Sequence, residues 1–323
     1  MIATVRRPQP LRFFFRYISI VGSSNVRHGR PKMALPELPP VTSLSPRVLR
    51  VLGCNPSVMT LQGTNTYVVG TGRRRILIDT GEPNVPEYIK NLKETMDKYN
   101  FELEHIIVSH WHRDHIGGVS DVMDAIGNKT DCKVWKFHPE NEKKRVYKFP
   151  INCPINSLKN YQVFNTEGAT LKVYHTPGHT TDHVMLTLEE DKALFCADCV
   201  LGEGTSIFEN LEDYLESLQL ILKLNPVVMY PGHGSVINNT VQRVNNYIQH
   251  RIDREREIIK ILSEHPLQTM TIKDFVDVIY KGISKKLQEV ATISVVQHLL
   301  KLKKEGKVLE IDDHWKINTK SNL

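Results

Sequence analysis

Cysteine is scarce in this chain, long apolar runs are missing, and acidic residues are absent from its start. The 323 residues hold five cysteines. Cys54, Cys132, Cys153, Cys196 and Cys199 form no even disulfide framework, which excludes a small cross-linked secreted fold and suits a reducing compartment. The apolar cluster near the start is broken by Arg12 and Arg16, so it is too short for a bilayer span and wrongly charged for a secretory signal. No stable membrane insertion is expected. No acid precedes Glu37, whereas Arg6, Arg7, Arg12, Arg16, Arg27, Arg30 and Lys32 do. The formal charge of +6 therefore belongs to the first 36 residues: without those seven, 35 basic residues face 36 acidic ones. A globally basic nucleic-acid-binding body is excluded, and any such affinity has to come from local patches or bound metal.

The leader is Arg-rich, contains serine and carries Leu11, Phe13, Phe14, Phe15, Tyr17, Ile18 and Ile20 among its arginines. That is the pattern of a mitochondrial transit peptide. Residues 1–36 are read in that way, which puts the mature protein in the mitochondrial matrix; translation from Met33 would leave it in the cytosol. The proline-rich stretch 37–47 reads as a linker.

What the chain does have is clustered histidine. Ser109-His110-Trp111-His112-Arg113-Asp114-His115 puts three imidazoles and a carboxylate directly after an apolar run at 105–108. This ligand set suits zinc, and it is too large for one tetrahedral ion. His110 and His112 alternate on an extended turn and can hold one metal; Asp114 and His115, displaced by the start of a helix, can hold a second. Downstream, Pro177-Gly178-His179, Cys196-Ala197-Asp198 and Pro231-Gly232-His233-Gly234 each place a ligand just past an apolar run. Glycines beside His179 and His233 let the backbone turn sharply there. His179 completes the first site, His233 the second, and Asp198 bridges them with its two oxygens.

This constellation, with Leu77-Ile78-Asp79-Thr80-Gly81 upstream, closely resembles the metallo-β-lactamase superfamily over about residues 48–237. Cys54-Asn55-Pro56, Leu61-Gln62-Gly63-Thr64-Asn65-Thr66-Tyr67 and the 109–115 block resemble more specifically the mitochondrial lactamase-beta-like endoribonucleases. The resemblance implies an α/β fold, a four-layer αβ/βα sandwich with its metals at one edge of two sheets. Asp198 stands where the paired-zinc lactamases of the superfamily usually put a cysteine. The span from Asp198 to His233 is far too short for the helical cap inserted there in some nucleases. A compact dinuclear hydrolase of the glyoxalase-like branch remains. The leading expectation is a two-zinc endoribonuclease acting on single-stranded RNA. The alternative is a thioesterase for glutathione or coenzyme A esters. Seven filled ligand positions argue against an RNA-binding adaptor with a vestigial site.

Two zinc ions sharing a water would lower its pKa from about 15.7 towards about 7. Such a site fixes hydrolysis and leaves phosphodiesters, thioesters and lactams open. Asp198, Asp114 and His183 are the candidate catalytic residues. Asp198 orients the nucleophile and can accept its proton; Asp114 is the carboxylate of the second group. His183, four residues after His179, can donate a proton to the leaving group or be a satisfied half-buried histidine. Asp79 is expected either to hydrogen-bond a ligand imidazole and fix its tautomer or to serve the turn alone. Trp111 can wall the pocket or stack a base. Cys196 and Cys199 match C-x-x-C, but Asp198 lies between them, and Cys196 reads as a buried apolar residue rather than a redox thiol.

Strands are predicted at 48–52, 66–69, 75–79, 105–109, 170–174, 183–188, 193–197 and 227–230. Helices are predicted at 85–99, 115–125, 210–223 and 241–262, the last charged on one face. No regular element is assigned over 128–165. The catalytic domain runs 48–262, and a second unit covers 266–318. There a helix capped by Thr271 is followed by a helix at 287–304, with Val290, Ile293, Val296 or Gln297 and Leu300 on one face. A hairpin around Asp312-Asp313 completes a winged-helix-like α+β module. Lys301, Lys303 and Lys304 are a modest basic cluster, and the module reads as a packing cap or as a nucleic-acid reader. The sequence sets no oligomeric state.

Overall fold

Alternation along the strands decides the layers. The computed structural model describes residues 35–127, 131–139, 149–283 and 285–319; all but the last two residues of the expected transit peptide lie outside them. A first sheet is built in chain order from β1 (Val41–Ser45), β2 (Val48–Leu52), β3 (Asn65–Val69), β4 (Arg74–Ile78), β5 (Glu102–Val108), β6 (Lys133–Phe137) and β7 (Ile155–Leu158). It is antiparallel as far as β4 and parallel beyond it. Helix α1 (Pro86–Tyr99) makes the β4–β5 crossover; α2 (Arg113–Ile116) and α3 (Val119–Ile126) follow β5. The second sheet has β8 (Val163–Thr166), β9 (Ala169–His175), β10 (Val184–Leu188), β11 (Ala193–Ala197) and β12 (Val228–Pro231), in reverse chain order from β12 to β8. Helix α4 (Leu211–Leu224) joins its parallel pair β11 and β12, and α5 (Thr240–Glu264) closes the domain.

Tyr67, Val69, Ile76, Ile78 and Ile107 meet Leu171, Val173, Val184, Leu186 and Phe195 between the two sheets. Their neighbours along the strands, Val68, Leu77, Ile106 and Val108, pack outward under Tyr88, Leu92, Val119 and Val122 of α1 and α3. Met185, Leu194, Cys196 and Met229 pack under Tyr214, Leu218, Val244 and Tyr247 of α4 and α5. Because side chains alternate across each strand, each sheet is buried on both faces. The result is the expected αβ/βα sandwich.

Three local expectations are corrected. The stretch 37–47, read as a linker, contains edge strand β1, whose antiparallel pairing with β2 no local pattern announces. The stretch 128–165, left unassigned, supplies β6, β7 and most of β8, strands of five, four and four residues whose register is set by their neighbours. The helix expected at 115–125 is two helices broken at Gly117 and Gly118. A Cβ on Gly118 would lie 2.1 Å from the Thr80 carbonyl oxygen, so the chain turns where only glycine lets two backbones approach.

The last unit has α6 (Ile272–Ile279), α7 (Lys285–Lys304), β13 (Val308–Ile311) and β14 (His314–Ile317). Thr271 caps α6 in a reciprocal capping box with Asp274, as its sequence suggests. Asp312 and Asp313 take positive φ of 48° and 61° in the two-residue hairpin turn. Phe275, Val295, Leu299, Leu302, Val308 and Trp315 form its core together with Ile258 and Leu262 of α5, so this unit shares a core with the preceding helix. The expected face of α7 is corrected in part: Val290 is buried as expected, but Leu300 is 45% exposed, and Ala291, Val295, His298, Leu299 and Leu302 are buried. Apolar residues circle this helix, so periodicity alone has no single solution there. Among the described residues, no helix is long and apolar enough to cross a membrane.

Candidate metal centre

The site forms where strand ends of both sheets meet. Ser109, His110, His112, Asp114 and His115 leave the end of β5 through α2; His179 sits in the loop between β9 and β10; Asp198 follows β11; His233 follows β12. His110, His112, His179 and Asp198 form one group of potential metal donors, and Asp114, His115 and His233 form another. Asp198 reaches both, with one oxygen 3.4 Å from His115 Nε2 and the other 3.6 Å from His179 Nε2 and 3.4 Å from His233 Nε2. Asp114 lies 3.3 Å from His115 Nε2 and 3.1 Å from His233 Nε2. Gly232 is needed here, because a Cβ would meet Asp198 Oδ1 at 2.2 Å. All seven sequence-derived positions are thus brought together in two adjoining groups, and five of them, His112, Asp114, His179, Asp198 and His233, line a cavity of about 40 Å³ with Met59, Leu201, Ser206 and Ile207.

Hydrogen bonds decide which ring nitrogens face inward. Asp79, at φ +61°, accepts from the Ser109 N–H (2.7 Å), the Ser109 hydroxyl (2.8 Å) and His115 Nδ1 (2.7 Å). The Ser109 hydroxyl in turn accepts from His110 Nδ1 at 2.9 Å. One carboxylate therefore orients two ligand imidazoles, the first directly and the second through a serine. His179 donates from Nδ1 to the Ile207 carbonyl at 2.7 Å. Thr64 donates to Asp114 at 3.1 Å, Asn55 accepts from the Thr64 N–H at 2.8 Å, and Asn65 donates to the Pro231 and Gly234 carbonyls. The opening loop is thereby tied to the ligands.

Burial, reinforced by neighbouring imidazoles, pushes His110 and His112 well below the usual histidine range; burial also lowers His179. These rings are neutral, the form that binds metal. His110 and His179 have spent their Nδ1 protons on Ser109 and Ile207, yet their Nε2 atoms lie 3.3 Å apart. Two lone pairs at that distance repel unless a cation sits between them. In the other group, burial opposes charge, but the Asp114 and Asp198 carboxylates overcome it. They raise His115 well above the usual range and hold His233 at about 10. Both groups call for positive charge, and the residues present fit metal ions.

Some expected and unexpected residues fall outside the ligand set. His183 is fully buried beside His110, its Nδ1 2.9 Å from the Thr176 hydroxyl, and it does not line the cavity. A proton-donor role does not follow from that position. Trp111 meets His112 edge to face at 4.6 Å and is half-buried. Cys196 is fully buried in the core under α4, as an apolar residue would be. Sequence reading missed Ser109 and Ser206, because a serine next to a ligand has no signature until the ligand's ring orientation is known. It also missed the buried ion pair of Lys136 with Asp182, which ties β6 to the loop bearing His179.

Residues 59–233 match the metallo-beta-lactamase superfamily profile. The chain belongs to this family. Residues 271–315 match the beta-lactamase associated winged helix domain. The beta-lactamase-like protein 2 homologue of Drosophila melanogaster is 44% identical over 271 residues, covering 84% of this chain and 92% of that protein. Its Caenorhabditis elegans counterpart is 44% identical over 275 residues, covering 85% and 90%. An atrochrysone carboxyl ACP thioesterase of Cryptosporiopsis is 36% identical over 287 residues, covering 85% of each. In fold, the chain is similar to a metallo-beta-lactamase family protein of Thermus thermophilus at a TM-score of 0.67 and 21% identity, covering 85% of this chain and 100% of that one. The chain thus belongs to a superfamily that consists generally of hydrolases, and its clustered His and Asp donors form a possible metal site.

Proposed function

We propose that the protein is an endoribonuclease that hydrolyses phosphodiester bonds of single-stranded RNA, with two zinc ions held by the seven ligands. Zinc is favoured by the donor separations. Ligands on a tetrahedral zinc at a Zn–N distance of about 2.0–2.1 Å stand about 3.3 Å apart. His179 Nε2 lies 3.3 Å from His110 Nε2 and 3.1 Å from His112 Nδ1, and His115 and His233 are 3.4 Å apart. Zinc bound there would supply Lewis-acid activation of water and neutralise charge on the attacked group.

The protein's own groups do the rest. Asp198, reaching both ligand groups, is placed to orient the attacking water and take its proton. Met59, Leu201 and Ile207 give the cavity an apolar wall beside these donors. A cavity of about 40 Å³ admits a reacting group and leaves the rest of a long substrate outside. The observation that favours RNA is the tie between the opening loop and the centre. In the stretch that carries the resemblance to the endoribonucleases, Asn55 accepts from the Thr64 N–H, Thr64 donates to Asp114, and Asn65 donates to the His233 turn. The fungal thioesterase relative supports a second reading, hydrolysis of a thioester.

Zinc-loaded full-length protein assayed on labelled single-stranded RNA, a glutathione thioester and a coenzyme A thioester separates the two. RNA cleavage that chelator abolishes and zinc restores is expected; thioester turnover far exceeding it would replace RNA with the second reading. The Arg-rich, acid-free start supports a mitochondrial setting. Intact peptides from residues 1–30 in the mature pool would count against it.

A further inference from the structure

Three of the metal ligands depend on one irregular loop, residues 198–208. It begins with Asp198 itself. The Ser206 hydroxyl donates to the Asp198 carbonyl and lies 3.2 Å from His179 Nδ1, and the Ile207 carbonyl accepts from that same nitrogen. The Gly202 N–H donates to the His233 carbonyl at 2.9 Å, and Glu203 accepts from the N–H and hydroxyl of Ser235, at 3.1 and 2.6 Å. No helix or strand runs through this loop, so its carbonyls need partners from elsewhere.

Those partners stand on one stripe of α5. Arg243 donates to the carbonyls of Leu201 (2.8 Å), Gly202 (3.0 Å) and Gly204 (3.0 Å). The Tyr247 hydroxyl donates to the Gly204 carbonyl and accepts the Leu201 N–H, both at 3.0 Å. Arg251 donates to the Ser206 carbonyl at 2.9 Å. Successive spacing by four puts the three side chains on one helix face. Arg251 is only 3% exposed, and its guanidinium lies 4.8 Å from the Phe208 ring centroid and 5.7 Å from that of Tyr214. Among the described residues neither Arg243 nor Arg251 pairs with a carboxylate. A buried charge needs dipoles in place of water, and here the loop carbonyls provide them. The expected charged face of α5 is thus partly its inner face.

The terminal module stands behind this stripe. His298 of α7 meets Phe208 edge to face at 5.9 Å, Lys301 pairs with Glu255 of α5 at 3.0 Å, and Lys304 pairs with Glu212 of α4 at 2.5 Å. Lys303 pairs with Glu310 inside the module. The modest basic cluster of Lys301, Lys303 and Lys304 is thus engaged in docking and internal pairing.

We infer that Arg243, Tyr247 and Arg251 are positioning residues that hold Asp198 and His179 in the metal centre, with the winged-helix module as the brace behind them. This rests on reading the centre as a metal site. The test uses full-length protein and three measurements: zinc affinity by chelator competition, the visible spectrum after cobalt substitution, and the thermal midpoint. Arg251→Ala and Ser206→Ala weaken zinc binding by about 10–100-fold, the range for partners that orient metal ligands, and they shift the cobalt bands. Arg256→Ala, at an exposed position on the same helix, leaves both unchanged. Arg251→Lys, or millimolar guanidinium added to Arg251→Ala, recovers part of the loss. Should Arg251→Ala not fold, Ser206→Ala and Arg251→Lys carry the comparison. Variants that lose thermal stability yet keep the parent's zinc affinity and cobalt spectrum would overturn the positioning role alone. A parent that binds no zinc would overturn the metal reading with it.

Discussion

Asp79 shows how one side chain can organise a centre without touching what the centre binds. Its carboxylate holds His115 directly and His110 through Ser109, so it fixes two tautomers at once. Asn at this position keeps the size but puts an amide N–H against one of three donors. Asp79→Asn is expected to lower zinc affinity by about 10–100-fold, read by chelator competition, with little change in far-UV dichroism. An unchanged affinity would reduce Asp79 to a turn residue. The sequence could name Asp79 as a candidate because an Asp at a strand end before Thr-Gly is visible. Ser109 and Ser206 were not legible, since their roles follow only from which nitrogen each ring turns inward.

At the scale of elements, the break between α2 and α3 places His115. Thr80 donates to the His115 carbonyl through both its N–H and its hydroxyl, and Gly118 lets Thr80 come that close. Gly118→Ala forces the two backbones apart and should cost about 1–3 kcal/mol, as overpacking does. The thermal midpoint of the metal-free protein checks this. Helix α7 carries a second expectation. Burial, reinforced by the charges of Arg251 and Arg254 against an opposing Glu255, lowers His298 to about 4. Its folded pKa lies below the ordinary value of 6.5, so the native state resists the proton. Its contribution is complete above about pH 6.5 and is lost as pH falls through about 4. His298→Gln should flatten the fall in unfolding free energy across that window by about one proton, and an unaltered slope would show that His298 titrates normally.

For the whole molecule, charge separates the two uses of the terminal module. Among the described residues of the terminal module, Lys301, Lys303 and Lys304 are each ion-paired, and the body is close to neutral, so this basic cluster is not free to neutralise an RNA strand. Affinity for RNA should fall with salt at a log–log slope no steeper than about −2, roughly three phosphate contacts at about −0.7 each. A slope several times steeper would mean that RNA meets a basic surface other than this cluster.

The sequence by itself determined the chemistry. Potential metal donors have to be particular residue types, and sharp turns past apolar strands leave local marks, so the seven residues that cluster as donors, the sandwich class and the Thr271 cap were legible. Only the tertiary structure decided what stands around them. Short strands such as β1, β6 and β7 exist because a neighbouring strand satisfies their backbone. The inward face of α7 was chosen by packing among several apolar options. Arg251 reads in the sequence as one more charge on a charged helix. Its burial follows from carbonyls of a loop 45 residues away, and hydrogen bonds over that separation leave no periodicity in the chain.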